Sequence, residues 1–409
     1  MLRRNIEEEL KAFLKIMPVV LITGARQTGK TTLAKSIAQK KGYTFYTFDD
    51  ALTLANAKRD PSGWLESLPK PVIIDEVQRV PEIFLSIKKD VDENKKPGRY
   101  LITGSANPFL IPRLGDSLAG RIGILNMFPF SYGEIIEKKE RFISTIFETK
   151  FSPKNLSKLS HETLYEILLW GGFPPVQDLV TIEDLNRWMK SYLQTIMERD
   201  VRDLANIEGL REFPNLFRLL ASRTGTLLNV SQLSRSLGMV HVTLKRYLRL
   251  LEALYFVYLL PSWHSNQGKR LTKSPKMYLC DTAILTTVLG MDSDNLEGDP
   301  TFTGQVLESF VFSELLKQKS WSNVPFELYH FRDRDIEVDF VLERFDGTLV
   351  GIEVKSANTI HNGDLKGLKH LKTIAKKSFS NGIILHLGTQ IQQLDENIWA
   401  FPIQSLWEL

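Results

Sequence analysis

Gly24-Ala25-Arg26-Gln27-Thr28-Gly29-Lys30-Thr31 fits the pattern G-x-x-x-x-G-K-[ST] without a mismatch. Before it, Pro18-Val19-Val20-Leu21-Ile22 is a short apolar run of the buried-strand kind. After it, Thr32-Leu33-Ala34-Lys35-Ser36-Ile37-Ala38 continues as a helix. A strand, a glycine loop and a helix in this order make a phosphate cradle. Gly24 and Gly29 let the backbone wrap closely around phosphates, and the loop N–H groups and helix N-terminus supply a positive field. Lys30 is spaced to reach the β- and γ-phosphates and the Thr31 hydroxyl to ligate Mg²⁺. Gly24 through Thr31, with Thr32 next in line, is therefore the candidate binding segment for ATP and Mg²⁺.

Working outward, strand-like segments at 18–23, 44–48, 71–75, 100–103 and 122–127 alternate with helix-like or loop segments. That alternation predicts an α/β core with a parallel sheet covered by helices. Residues 1–17 read as a lead-in helix, with Leu10, Phe13, Leu14 and Met17 at helical spacing. The third strand ends in Ile74-Asp75-Glu76, an apolar run closed by two carboxylates, which is the Walker B pattern. Asp75 would hold Mg²⁺ through water, and Glu76 would take a proton from the attacking water. The fourth strand runs into Thr103, Ser105 and Asn107, each able to serve as a polar sensor of the γ-phosphate; Ser105 is the preferred one. Arg121, just before the fifth strand, either reaches a γ-phosphate in its own subunit or a neighbour's, or is an ordinary exposed arginine.

Composition bounds the rest. With 409 residues, 43% apolar, the chain has ample core for several domains, and a net charge of +4 neither demands nor excludes a nucleic-acid partner. The single cysteine, Cys280, fits a reducing compartment and an apolar setting. Glu7-Glu8-Glu9 falls where a secretory leader would need apolar residues, and runs such as Leu254 to Leu260 are too short to span a bilayer. The expectation is a cytoplasmic protein with no membrane partner.

The loop, Ile74-Asp75-Glu76-Val77-Gln78, Leu101-Ile102-Thr103-Gly104-Ser105 and Ala119-Gly120-Arg121 together resemble a prokaryotic AAA+ ATPase family. Its members pair this P-loop module with a C-terminal domain of uncharacterised function. Arg26-Gln27 within the loop and Gln78 after the two acids match that family's habits, and the resemblance covers nearly the whole chain. It implies an AAA+ parallel sheet with a helical lid, then a winged helix-turn-helix, then a restriction-endonuclease-like α/β domain. The boundaries expected are 1–135, 136–214, 215–275 and 276–409. Proteins of this type commonly assemble into rings, so a homo-oligomer with Arg121 acting in trans is also implied.

In the expected lid, Trp170-Gly171-Gly172-Phe173-Pro174 breaks the helices, and Met197-Glu198-Arg199-Asp200-Val201 follows in a long amphipathic helix. Arg199 either senses nucleotide or pairs with Asp200 or Glu198. Residues 229–248 read as helix, turn at Gly238 and second helix, the latter offering His241, Thr243, Lys245 and Arg246 to DNA. Strands at 255–260 and 276–279 would form a wing around Lys269, Arg270 and Lys273. Packing or contact with a protein is the competing use of such a module.

The last third holds a second constellation. Glu308 sits in an amphipathic stretch, Asp339 in the alternating strand 337–343, and Glu353 and Lys355 in the strand-like 351–355, ahead of a helix at 364–376 and a strand at 381–386. Residues i and i+2 of a strand share a face, so Glu353 and Lys355 point together toward Asp339 on the neighbouring strand. This is the PD-(D/E)xK nuclease pattern, with Val338 where proline stands in its fullest form. Asp339, Glu353 and Glu308 would ligate Mg²⁺ and Lys355 would steady hydroxide or phosphate. Otherwise the fold serves binding or structure, with its acids paired to Lys355. Two functions follow: an ATPase driving a winged helix and nuclease-like domain on DNA, or a nucleotide-dependent switch read by a protein partner.

Overall fold

Val19–Thr23 (β1) is buried along its whole length, as a strand covered on both faces must be. The computed structural model describes residues 2–105, 118–148, 151–205 and 212–409, with backbone alone over 199–205. Asn107 and Ser117, together with the side chains of Arg199 and Asp200, lie outside the described residues. The chain forms two units, Met1–Phe130 with Leu251–Phe256, and Ser131–Leu250 with Val257–Leu409.

In the first unit, β1 is flanked by β2 (Thr44–Thr47), β3 (Val72–Asp75), β4 (Tyr100–Gly104) and β5 (Ile122–Asn126) in the order β2-β3-β4-β1-β5. Every pairing is parallel, so the five expected strands form the expected α/β sheet. Each fully buried Val, Leu or Ile in such a strand contributes roughly 1.5–3 kcal/mol. The helix Glu7–Ile16 buries Leu10 and Leu14 and carries three glutamates in its first turn, where the helix dipole favours them. Parallel pairing has one consequence that matters for chemistry. Thr23, Asp75 and Gly104 all end their strands at the same edge, and the loops that follow β1, β3 and β4 converge there.

In the second unit, the helix Val230–Leu237 is joined through Gly238, whose φ of 63° closes it, to the helix His241–Ala253, of which residues up to Leu250 belong to this unit. β7 (Thr226–Leu227), β8 (Val257–Leu260) and β9 (Lys276–Leu279) form an antiparallel sheet in the order β7-β9-β8. A larger sheet runs β10 (Phe326–Asp333), β11 (Ile336–Arg344), β12 (Leu349–Val354), β13 (Phe379–His386), β15 (Ile398–Pro402), β14 (Gln390–Asp395) and β6 (Lys154–Asn155). Its β10-β11-β12 part is antiparallel and β12-β13-β15 is parallel. The helix Lys366–Ala375 covers it, with Leu368 and Leu371 packed on Val338 and Val341.

Part of the segment expected as a lid is tied to this sheet. β6 pairs with β14, and Asn381 Nδ2 donates to the carbonyls of Ile146 and Glu148 at 3.0 and 2.9 Å. The Trp170-Gly171-Gly172 break is built around a buried carboxylate. Gly172 N–H donates to Asp281 Oδ2 at 2.9 Å, and a Cβ on Gly171 would stand 2.0 Å from Asp281 Oδ1. Cys280 beside it is buried, as its setting suggested. Among the described residues no helix is long and apolar enough to cross a membrane.

Candidate active site

The loop after β1 is shaped by residues that tolerate positive φ. Gly24 has φ 146°, and a Cβ there would lie 2.1 Å from the Met127 carbonyl oxygen, so only glycine lets the loop pass beneath β5. Gln27 (φ 64°) and Gly29 (φ 94°) complete the turn into the helix Lys30–Lys41. Lys30 is 5% exposed, and its Nζ donates to the carbonyls of Gly24 and Ala25 at 2.9 and 2.7 Å. The Thr28 hydroxyl donates to the Ala25 carbonyl at 3.0 Å. Arg26 is half-buried, while Gln27 and Thr32 are exposed.

The loop is also held from behind by a residue that motif reading passes over. Arg4 donates from Nη1 to the Thr28 carbonyl at 2.8 Å and from Nη2 to the Phe128 carbonyl at 2.7 Å. Its guanidinium lies 4.5 Å from the Phe130 ring centroid. A fixed fork of donors suits two carbonyls from different elements.

The two carboxylates after β3 play different parts. Asp75 is 2% exposed and accepts from three threonine hydroxyls: Thr31 at 2.9 Å, Thr47 at 3.2 Å and Thr103 at 2.5 Å. Thr103 thus binds Asp75, and it also accepts from the Glu76 N–H at 3.2 Å. Glu76 has φ 58° and, among the described residues, takes its side-chain hydrogen bonds on Oε2. Gln78 Nε2 donates to Glu76 Oε2 at 2.5 Å and to Ser105 Oγ at 2.9 Å, and Ser105 Oγ lies 3.3 Å from the same Oε2. Loading both donors onto Oε2 leaves Oε1 to receive a proton. Of the sensor candidates, Ser105 reaches Glu76 and Thr103 reaches Asp75.

Gln78 thus links Glu76 to Ser105, and its own Oε1 is buried without a hydrogen-bond partner among the described residues. Hydrogen bonds to charged groups contribute about 1.5–3 kcal/mol, so Gln78→Leu is expected to lower kcat about 10–100-fold. KM for ATP should stay put, because no phosphate-binding group is touched. Steady-state phosphate release against ATP concentration checks this; an unchanged kcat removes the assignment.

The first site fits a nucleotide with its cation. The glycine cradle admits no Cβ at Gly24, and the Thr31 hydroxyl and Asp75 carboxylate supply hard oxygen donors at one point. Arg121 does not join this group in its own chain. β1 and β5 pair Val19 with Ile122 in parallel, so Arg121 stands at the opening end of β5, opposite the edge where the loop sits. At about 3.3 Å per residue the length of β1, roughly 15 Å, lies between them. Its Nε instead pairs with Asp92 Oδ1 at 2.5 Å.

The second constellation also assembles, with an unforeseen member. Asp339 Oδ2 accepts the Val354 N–H at 2.9 Å, and Lys355 Nζ donates to Glu353 Oε1 at 2.9 Å, as strand facing requires. Glu308, on the helix Pro300–Lys319, accepts from Tyr278 Oη at 2.6 Å and from Lys276 Nζ at 2.9 Å. Lys276 also pairs with Glu337 and lies 3.4 Å from Asp339 Oδ1. Burial, reinforced by the Asp339 charge, pushes the Glu308 carboxyl up to about 7 and that of Glu353 to about 8. Burial alone would discharge Lys276, but Tyr278, Glu308, Asp339 and Glu337 outweigh it and hold the ammonium well above the ordinary lysine range. Among the described residues, no three His, Cys, Asp or Glu side chains are grouped to hold a metal.

The helix His241–Ala253 exposes His241, Lys245, Arg246 and Arg249, with Thr243 half-buried. The expected wing is less available. Arg270 donates to both oxygens of Glu343, at 2.5 and 3.0 Å, and Lys273 Nζ donates to the Arg332 carbonyl at 3.2 Å. Lys269 remains exposed.

Three family models match successive parts of the chain. An AAA domain matches residues 17–136, a domain of unknown function (DUF8612) residues 161–295, and a second (DUF4143) residues 303–406. The uncharacterized protein Rv2008c of Mycobacterium tuberculosis is 33% identical over 364 residues, spanning 87% of this chain and 74% of that protein. The uncharacterized protein MJ1544 of Methanocaldococcus jannaschii is 24% identical over 346 residues, 80% of this chain and 73% of that one. Among solved structures, the Walker-type ATPase PABY2304 of Pyrococcus abyssi aligns at TM-score 0.45 and 15% identity, covering 70% of this chain and 95% of that one. The Thermotoga maritima RuvB Holliday junction branch migration motor aligns at TM-score 0.30 and 21% identity, covering 63% and 89%.

Proposed function

The chain belongs to the family of the uncharacterized protein Rv2008c and carries an AAA domain over residues 17–136, and we propose that it hydrolyses ATP and couples that cycle to duplex DNA. One observation carries the hydrolytic half. The loop lysine, the Asp75–Thr31–Thr103 group and the Glu76–Gln78–Ser105 group converge on one edge of the parallel sheet. Lys30 binds the β- and γ-phosphates. Thr31 and Asp75 hold Mg²⁺, which supplies neutralisation of phosphate charge when bound. Glu76 takes the proton of the attacking water on Oε1 while Gln78 and Ser105 fix the carboxylate through Oε2. Arg121, ion-paired with Asp92 on the surface, keeps two of its readings: a finger toward a neighbouring subunit or an ordinary exposed arginine.

For the DNA half, Phe213–Ala221, β7, the two helices joined at Gly238, β8 and β9 have the element order of a winged helix. The second helix presents a cationic stripe of the kind that enters a major groove. The helix Pro300–Lys319, β10–β12, the helix Lys366–Ala375 and β13 are read as a restriction-endonuclease-like core. A single observation favours the rival protein-partner switch: Val240 and Val242, at the head of the second helix, are 71% and 77% exposed.

The deciding experiment measures ATP hydrolysis with and without duplex DNA, alongside DNA binding across a salt series. Stimulated turnover and salt-sensitive binding are expected. Replacing Lys245 and Arg249 together by alanine should flatten the log–log salt slope by about one for each phosphate no longer neutralised, and weaken binding at least about tenfold at low salt. Turnover in the absence of DNA should be unchanged in that variant. Turnover indifferent to DNA, with no salt-sensitive binding, favours the protein-partner switch.

A further inference from the structure

We infer that Lys276 is the resident cation of the Glu308–Asp339 cluster, and that this cluster takes no divalent metal. The inference rests on the endonuclease-like reading of the C-terminal fold, which would place Mg²⁺ among these acids, and is independent of the ATPase reading.

Position is the first argument. Lys276 comes from β9, Glu308 from the helix Pro300–Lys319, and Asp339 and Glu337 from β11, so three elements deliver one ammonium and three carboxylates to one place. The Lys276 side chain is 3% exposed. The Lys276 ammonium donates to Glu308 and Asp339 and is ion-paired with Glu337, so three carboxylates hold one charge. A divalent ion binding Glu308 and Asp339 together would have to expel that buried, paired charge.

The remaining oxygens point the same way. Glu308 Oε1 is shared by Lys276 and the Tyr278 hydroxyl, and Asp339 Oδ2 is engaged by the Val354 N–H. Glu353 Oε1 is held by Lys355, leaving its buried Oε2 without a partner among the described residues. Glu308 Oε2 and Glu353 Oε2 take no hydrogen bond among the described residues, and a divalent cation on these two oxygens would sit beside an ammonium that already neutralises the cluster. Lys355 is correspondingly bound to an acid and faces Asp364 at 3.8 Å, where a nuclease would need it on the scissile phosphate. The domain then offers its fold for recognition and performs no metal-dependent cleavage.

Mn²⁺ titration of the full, nucleotide-free chain followed by electron paramagnetic resonance tests this. The wild type and Asp339→Asn are expected to bind the same number of Mn²⁺ ions. Lys276→Gln, which empties the position of charge, is expected to gain one bound Mn²⁺, lost again on adding Asp339→Asn. A wild type that binds one more Mn²⁺ than Asp339→Asn overturns the inference, as does a folded Lys276→Gln protein that gains none. Should Lys276→Gln fail to fold, the wild-type and Asp339→Asn pair still decides. Absence of ATP turnover in the same preparations would count against the ATPase reading alone.

Discussion

Lys30→Ala is expected to abolish ATP turnover, with kcat falling by at least about 10²–10³-fold, the scale for removing a single preorganised group that stabilises transition-state charge. The ammonium is 5% exposed and held by two loop carbonyls, so its approach to phosphate is set before nucleotide arrives. Alanine removes the charge and leaves those carbonyls without their donor. Local structure should survive, because alanine is the best helix former and position 30 opens a helix. Phosphate release measured beside a thermal melt separates the two effects. A folded variant with undiminished release would show that the loop is not the hydrolytic site.

Glu76→Gln comes second, with an expected loss of about 10²–10⁴-fold in kcat, the usual worth of a positioned general base. ATP binding should persist, since no phosphate ligand changes. The residue sits at φ 58°, and glutamine meets the same backbone cost, as Gln27 at φ 64° demonstrates in this chain. A side-chain amide oxygen at position 76 can still accept from Gln78, so packing is retained and the proton acceptor alone is lost. Equilibrium nucleotide binding together with phosphate release checks this. Undiminished release would move the base elsewhere.

The grouping of the candidate nucleotide site was largely legible in the sequence because its residues are local. Gly24 to Thr31 is one continuous turn, and Asp75 and Glu76 follow an apolar run whose burial fixes where the strand stops. Ser105 was reachable for the same reason, being the residue just beyond β4. What sequence could not supply are partnerships between distant elements. Thr47, the last residue of β2, carries no motif and reaches Asp75 only because β2 pairs with β3 in parallel. Gln78 was visible as a family habit, but its bridge from Glu76 to Ser105 depends on the positive φ at Glu76 and on β4 lying next to β3.

Arg121 shows the converse. Its position just before a strand made both a cis and a trans role open, and only the β1–β5 register places it at the wrong edge for the first. In the last domain, i and i+2 facing correctly joined Glu353, Lys355 and Asp339. Lys276 lies 32 positions from Glu308 and 63 from Asp339, on a strand of another sheet, and nothing in its local pattern marks it as their counter-ion.

Arg4 bears on where the nucleotide-binding module begins. The AAA domain match starts at residue 17, yet the guanidinium that ties the Thr28 carbonyl to the Phe128 carbonyl comes from thirteen positions earlier. The extent of the domain match and the extent of the loop's hydrogen-bonded support therefore have different borders in this chain. A fragment trimmed to the matched residues would keep every phosphate-binding group and lose the clasp that sets their curvature, whereas one retaining the helix Glu7–Ile16 and the four residues ahead of Asn5 keeps both.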